Sequence, residues 1–130
     1  MIKKSRVMIV EDDPDILNLL SGAFKLKNME VFKAPTAEAC LEVLNSEFGK
    51  IDCILIEGNI AQDRGAMLIT NARRINPKIS ILVIADNDSE KTRVLDYGAD
   101  EFALKPMSTE NVADKVFNLI ASGSRKTETR

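Results

Sequence analysis

The sequence predicts an α/β fold: a doubly wound, five-stranded parallel sheet in the order 2-1-3-4-5, with helices on both faces. Three observations lead there. Apolar runs of strand length alternate five times with helical patterns along the 130 residues, the order of βα units joined by right-handed crossovers. The three strongest runs, "RVMIV" (6–10), "CILI" (53–56) and "ISILVIA" (79–85), are continuous, as strands covered on both faces are. The alternating "EFALK" (101–105) and the weak "MEVFKA" (29–34) then belong at the edges, which sets the order.

The helices follow from periodicity and stop signals. In the first, Asp13-Pro14 supplies an N-cap and a proline at the first helical position, and Ile16, Leu19, Leu20, Ala23 and Phe24 form the expected inward stripe. The second starts near Thr36, turns Cys40, Leu41 and Leu44 inward, and stops near Phe48-Gly49. The third is expected over 66–75, ended by Asn76-Pro77. The fourth, 89–97, has only Val94 and Leu95 as inward anchors and should be the least firmly packed. The fifth, 108–121, carries Val112, Val116, Leu119 and Ile120 on one stripe, with Ala113 and Phe117 beside it. Residues 1–122 are read as one domain, and 123–130 as a polar tail or the start of a linker.

Bulk composition narrows the function. An apolar fraction of 45% and a charged fraction of 29% are those of an ordinary globular domain. A net charge of -2 gives no electrostatic case for nucleic acid or a membrane surface as the partner of this domain. The apolar run near the N-terminus is too short for a signal peptide or a membrane span, so a cytoplasmic location is expected. Cys40 and Cys53 sit among apolar neighbours and read as buried free thiols of a reducing compartment. The chain has no histidine, which excludes a catalytic, metal-binding or phosphoryl-carrying histidine within it.

Ligands of such sheets sit at the carboxyl ends of the strands, near the switch between strands 1 and 3. There the sequence places Glu11, Asp12 and Asp13 after strand 1, Glu57, Gly58 and Asn59 after strand 3, Ala85 and Asp86 after strand 4, and Lys105-Pro106 after strand 5. Two unit charges ~4 Å apart repel by ~4 kcal/mol at an effective dielectric of ~20. Glu11, Asp12 and Glu57 therefore need a divalent cation, the Lys105 ammonium or a shared proton. Hard oxygen ligands of this kind suit Mg²⁺ or Mn²⁺. Asp13 reads as the helix cap, and Asp52, at the opposite end of strand 3, gets no functional role. Phosphate-cradling glycine loops are absent, and the first loop, "EDDPD", is hostile to phosphate. Both points argue against a nucleotide or flavin cofactor.

From about Arg6 to Ala121 the chain resembles the receiver domain of two-component response regulators. The resemblance rests on "VMIVEDDPDI", "DCILIEGNIAQDRGAML", "NPKISILVIA" and, most specifically, "YGADEFALKPMS". It implies a flavodoxin-like fold and a role in phosphorelay signal transduction. It also implies a Mg²⁺-binding acidic pair at Glu11 and Asp12, a phosphoryl-contacting Lys105, a metal-binding backbone carbonyl at Asn59, a helix-opening glycine at Gly65 and an aromatic switch position at Phe102.

Three positions depart from the family pattern. The phosphoacceptor aspartate is Glu57, so the metal set becomes Glu11, Asp12, Glu57 and Asn59. The switch hydroxyl aligns with Ala85, or with Val83 by a gapless count back from Gly98; neither has a hydroxyl. The proline after strand 3 is Ala61. The expectation is therefore an atypical or pseudo-receiver with no catalytic residue. It would be a phosphorylation-independent interaction module, not an enzyme, docking a histidine kinase or other signalling protein through helix 4, strand 5 and helix 5. A Glu57–Lys105 ion pair is the plainer reading of the glutamate, and a built-in mimic of the phosphorylated state the bolder one. The competing function is a competent, Mg²⁺-dependent phosphoacceptor in a histidine kinase phosphorelay. Oligomeric state is left open.

Overall fold

The computed structural model describes residues 4–47 and 50–128. The elements run β1 (Arg6–Val10), α1 (Pro14–Leu26), β2 (Glu30–Ala34), α2 (Ala37–Glu47), β3 (Cys53–Glu57), α3 (Gly58–Ile75), β4 (Ser80–Ala85), α4 (Lys91–Tyr97), β5 (Glu101–Leu104) and α5 (Thr109–Glu128). All sheet pairings are parallel, and the order is β2-β1-β3-β4-β5. β3 and β4 are buried along their whole length, the reason their sequences are continuous apolar runs rather than alternating ones.

Alternation of side chains along the strands separates two cores. Met8, Val10, Ile54, Ile56, Ile81 and Val83 meet α2, α3 and α4 on one face. Val7, Ile9, Leu55, Leu82 and Ile84 meet α1 and α5 on the other. Cys40 and Cys53 are buried free thiols in opposite cores. Burial pushes the Cys40 thiol up to about 12 and raises Cys53 as well, so neither is a reactive thiolate.

Four expectations about the helices are corrected. α3 begins at Gly58, not near residue 66, so "GNIAQDRG" is helix rather than loop. On α1 the buried stripe is Leu17, Leu20, Ser21 and Phe24; Ile16 and Leu19 stand 39% and 63% exposed. Apolar residues occupy two adjacent faces of this helix, so periodicity leaves its rotation open, and contact with the sheet chooses the face carrying Phe24. Leu95 is not an inward anchor of α4, where Val94 alone is buried. α5 continues to Glu128, past the expected end at residue 121, because each residue added to a formed helix gains one hydrogen bond. The expected stop of α2 at Phe48-Gly49 lies outside the described residues.

α4, with one buried anchor, is held from outside by Arg73 on α3. The Arg73 guanidinium donates to the Ile79 carbonyl, to the Gly98 carbonyl at 2.6 Å and to Asp100 Oδ2 at 2.8 Å. Asp100 Oδ2 also accepts from the Ile81 amide. Gly98 ends α4 at φ 121°, a conformation open to glycine at little cost. One cation thus joins the end of α3, the start of β4, the end of α4 and the entry to β5. Arg73→Met is expected to lower the unfolding free energy in urea by about 2 kcal/mol. Amide exchange should accelerate in residues 91–101 ahead of β1 and β3; uniform acceleration would remove Arg73 from this role.

Candidate functional site

The charged residues at the carboxyl edge continue the strands that end there. Val7, Ile9 and Glu11 share one face of β1, Cys53, Leu55 and Glu57 one face of β3, and Ala103 and Lys105 one face at β5; the apolar members all lie in the α1/α5 core. Glu11, Glu57 and Lys105 therefore stand in one row above that core.

Glu57 is the centre of the row. It ends β3 and is the N-cap of α3 with extended backbone, φ -70° and ψ 141°. Its Oε2 accepts from the Asn59 amide at 2.8 Å, and its Oε1 accepts from Lys105 Nζ at 3.1 Å. The residue is 7% exposed. The expected Glu57–Lys105 pair is thus present, and the same carboxylate also caps the helix.

The early start of α3 has a local cause at Ala61. A proline there would clash with the carbonyl of Glu57, four residues back, and would push Ile60 out of helical backbone. Alanine permits the helix to reach Gly58, and the first turn then lies directly on β4. A Cβ built on Gly58 would fall 2.5 Å from the Ala85 Cβ and 2.8 Å from its Cα. Only glycine on one side and a small residue on the other allow this approach. It also decides which β4 residue faces the site: Ala85 abuts Gly58, whereas Val83 pairs with Ile56 and Phe102 inside the opposite core.

Two carried-over positions are displaced by the same helix. Asn59 lies in the first turn of α3, so its carbonyl points along the helix into the backbone ladder rather than toward a metal. Gly65 lies mid-helix and opens nothing. The remaining metal candidates do converge: carboxylate oxygens of Glu11, Asp12 and Glu57 lie within 4.8 Å of one another. Asp13 is the cap of α1, accepting from the Asp15 amide at 2.9 Å. Asp52 accepts from the Arg6 amide at the far edge. Phe102 is partly buried against the α2/α3/α4 core.

Electrostatics within the row are uneven. Burial raises the Glu11 carboxyl above its ordinary value, and Glu57 and Asp12 push it the same way. The Asp13 amide, which donates to Glu11 Oε2 at 3.0 Å, and Lys105 oppose the shift. For Lys105, burial works against the ammonium, but the hydrogen bond to Glu57 and the charges of Glu57, Asp86 and Glu11 hold its pKa above the ordinary value. What the sequence reading missed is the wall beside the row, where Ile16, Leu19 and Met107 line a well reaching the core. The outward face of α1 was its only signal.

Two measurements check this geometry. Gly58→Ala is expected to destabilise the protein by about 1–3 kcal/mol through overpacking on Ala85. Gly65→Ala, whose Cβ would make an ordinary 3.7 Å contact with Ala61, should be neutral or stabilising by up to about 1 kcal/mol. Equal effects would contradict the helix start at Gly58. For Glu11, a raised folded pKa means that its contribution is full below its ordinary value of 4.5 and is lost as pH rises through the folded value. Glu11→Gln should therefore gain stability relative to the parent as pH rises from 4.5 to neutrality; a flat difference in urea unfolding across that range contradicts the assignment.

The comparisons with known proteins agree with this arrangement. A family model for the response regulator receiver domain matches residues 7–117. The chain is 28% identical over 120 residues to the transcriptional regulatory protein AruR of Pseudomonas aeruginosa, covering 88% of this chain and 49% of AruR. It is 27% identical over 116 residues to the aerobic respiration control protein ArcA of Escherichia coli, covering 88% of this chain and 48% of ArcA. It thus spans about half the length of these curated relatives. Among solved structures, the CheY-like receiver domain protein of Methanospirillum hungatei superposes with a TM-score of 0.84 at 23% identity, covering 95% of this chain and 99% of that one. HP1043, an orphan response regulator of H. pylori, superposes with a TM-score of 0.78 at 15% identity, covering 89% and 96%; both likenesses show the fold. The match over residues 7–117, carried by this sheet and its acidic edge, makes the chain a member of the response regulator receiver domain family of two-component signalling.

Proposed function

We propose that this receiver domain is a pseudo-receiver, a protein-interaction module that works without phosphorylation. The observation that carries the reading is the double engagement of Glu57: one oxygen caps α3 and the other pairs with Lys105. An acyl phosphate on Glu57 would break the cap or the pair. Its extra methylene also displaces the oxygens by about 1.5 Å from an aspartate's, and misplacement of about 1 Å costs on the order of 100-fold in rate. Ala85 offers no hydroxyl, so a phosphoryl group would gain no contact there that distinguishes two states of the domain. The Glu57–Lys105 pair supports a constitutive module more than a mimic of the phosphorylated state.

The docking surface in this reading is the face of α4, β5 and α5. Leu95, Leu104 and Phe117, one from each element, are 37%, 47% and 53% exposed, and their burial by a histidine kinase or other signalling protein would be favourable. Residues 1–122 form the module in this reading, and 123–130 lead toward a linker. No described helix is long and apolar enough to cross a membrane.

The second reading, a competent Mg²⁺-dependent phosphoacceptor, is favoured by one observation: Glu11, Asp12 and Glu57 converge within 4.8 Å. These carboxylates fit a Mg²⁺ ion, which would relieve their mutual repulsion when bound. Intact mass after incubation with acetyl phosphate and Mg²⁺ separates the readings. The wild type should stay unmodified, while Glu57→Asp/Ala85→Ser should gain a phosphoryl mass. An adduct on the wild type at Glu57 would overturn the proposal.

A further inference from the structure

Below the charged row, the α1/α5 core opens into a well of about 330 Å³, at the small end of the range for small-molecule sites. Its floor is Ile9, Leu55 and Ile84, each under 10% exposed. Ile16 and Leu19 of α1 stand on one side, and Met107, in the segment between β5 and α5, on the other. Ile16 and Leu19 remain 39% and 63% exposed although the well lies between them and apolar partners. An apolar group filling it would bury them at a gain of roughly 25 cal/mol per Å².

The charge at the top of the well selects the occupant. Glu11, Glu57 and Lys105 all line it, and Asp12 brings a third carboxylate within 4.8 Å of the other two. Lys105 is committed to Glu57, so three carboxylates face one paired ammonium. The surplus sits beside Glu11, 4% exposed and on the same side of the sheet as the apolar floor. A hydrated divalent ion would satisfy the charge but not the apolar walls; an anionic amphiphile would fit the walls but be repelled at the rim. An apolar body bearing a single ammonium satisfies both.

We propose that this well binds a small amphiphilic amine, its apolar body against Ile9, Leu55 and Ile84 and its ammonium donating to Glu11. The site is independent of whether Glu57 accepts a phosphoryl group. Binding would place a ligand between α1 and the start of α5, giving the domain an input that needs no kinase.

The test uses tryptamine as probe, with the neutral 3-ethylindole and the anionic indole-3-propionate as matched controls. Methyl and amide NMR titrations are run on the full chain in EDTA. Tryptamine should shift the methyls of Ile16, Leu55, Ile84 and Val112 saturably and bind about tenfold more tightly than 3-ethylindole, with no saturable shift from indole-3-propionate. Glu11→Gln should reduce tryptamine affinity to that of 3-ethylindole. Ile16→Trp, at the half-exposed mouth, should abolish both while the unfolding transition stays intact. The proposal is overturned by no saturable shift from tryptamine, by shifts confined to other surfaces, by equal binding of the three probes, or by unchanged tryptamine affinity in folded Glu11→Gln.

Discussion

The carboxylate of Glu57 ties together the three parts of the molecule that a receiver must coordinate. Through the backbone it ends the central strand β3; through Oε2 it starts α3; through Oε1 it holds the segment after β5 by way of Lys105. A helix start leaves backbone amides without partners, and a buried carboxylate needs donors. Each satisfies the other here. The pair with Lys105 is only partly buried, the lysine side chain being 33% exposed, so it adds modestly to stability. Its larger effect is positional: it fixes the side chain whose counterpart in the family contacts the phosphoryl group.

From that constraint the rest of the edge follows. With α3 starting at Gly58, its first turn rests on Ala85, and the space that a loop after β3 would leave is filled by the chain itself. Glutamate at 57, alanine at 61 and alanine at 85 act together. The first caps the helix, the second lets it begin early, and the third gives it room. Family resemblance alone treats these as three separate losses; the structure makes them one alternative arrangement.

The sheet order and the strand positions were legible because burial on both faces writes itself as continuous apolar runs, as in "CILI" and "ISILVIA". The site residues Glu11, Glu57 and Lys105 were legible because strand ends at one edge converge in this topology. The start of α3 was not. Gly58 and Gly65 punctuate the segment like a loop, and glutamate is not among the usual N-cap residues. Gly65 also interrupts the inward stripe between Ala61 and Leu68. The rotation of α1 was hidden for another reason: Ile16, Leu17, Leu19 and Leu20 are all apolar, and only packing against the sheet distinguishes them. The apolar well beside the site is a consequence of that rotation.

The account turns on whether the edge has room and donors for a phosphoryl group, and a fluoroberyllate titration in the presence of Mg²⁺ asks this without requiring group transfer. Followed by fluorine NMR and by the Lys105 side-chain resonance, the wild type should show only free fluoroberyllate and an unmoved Lys105. Discrete bound fluorine signals with a displaced Lys105 would mean that Glu57 releases its cap or its partner on demand. That result would contradict the reading of this edge as closed.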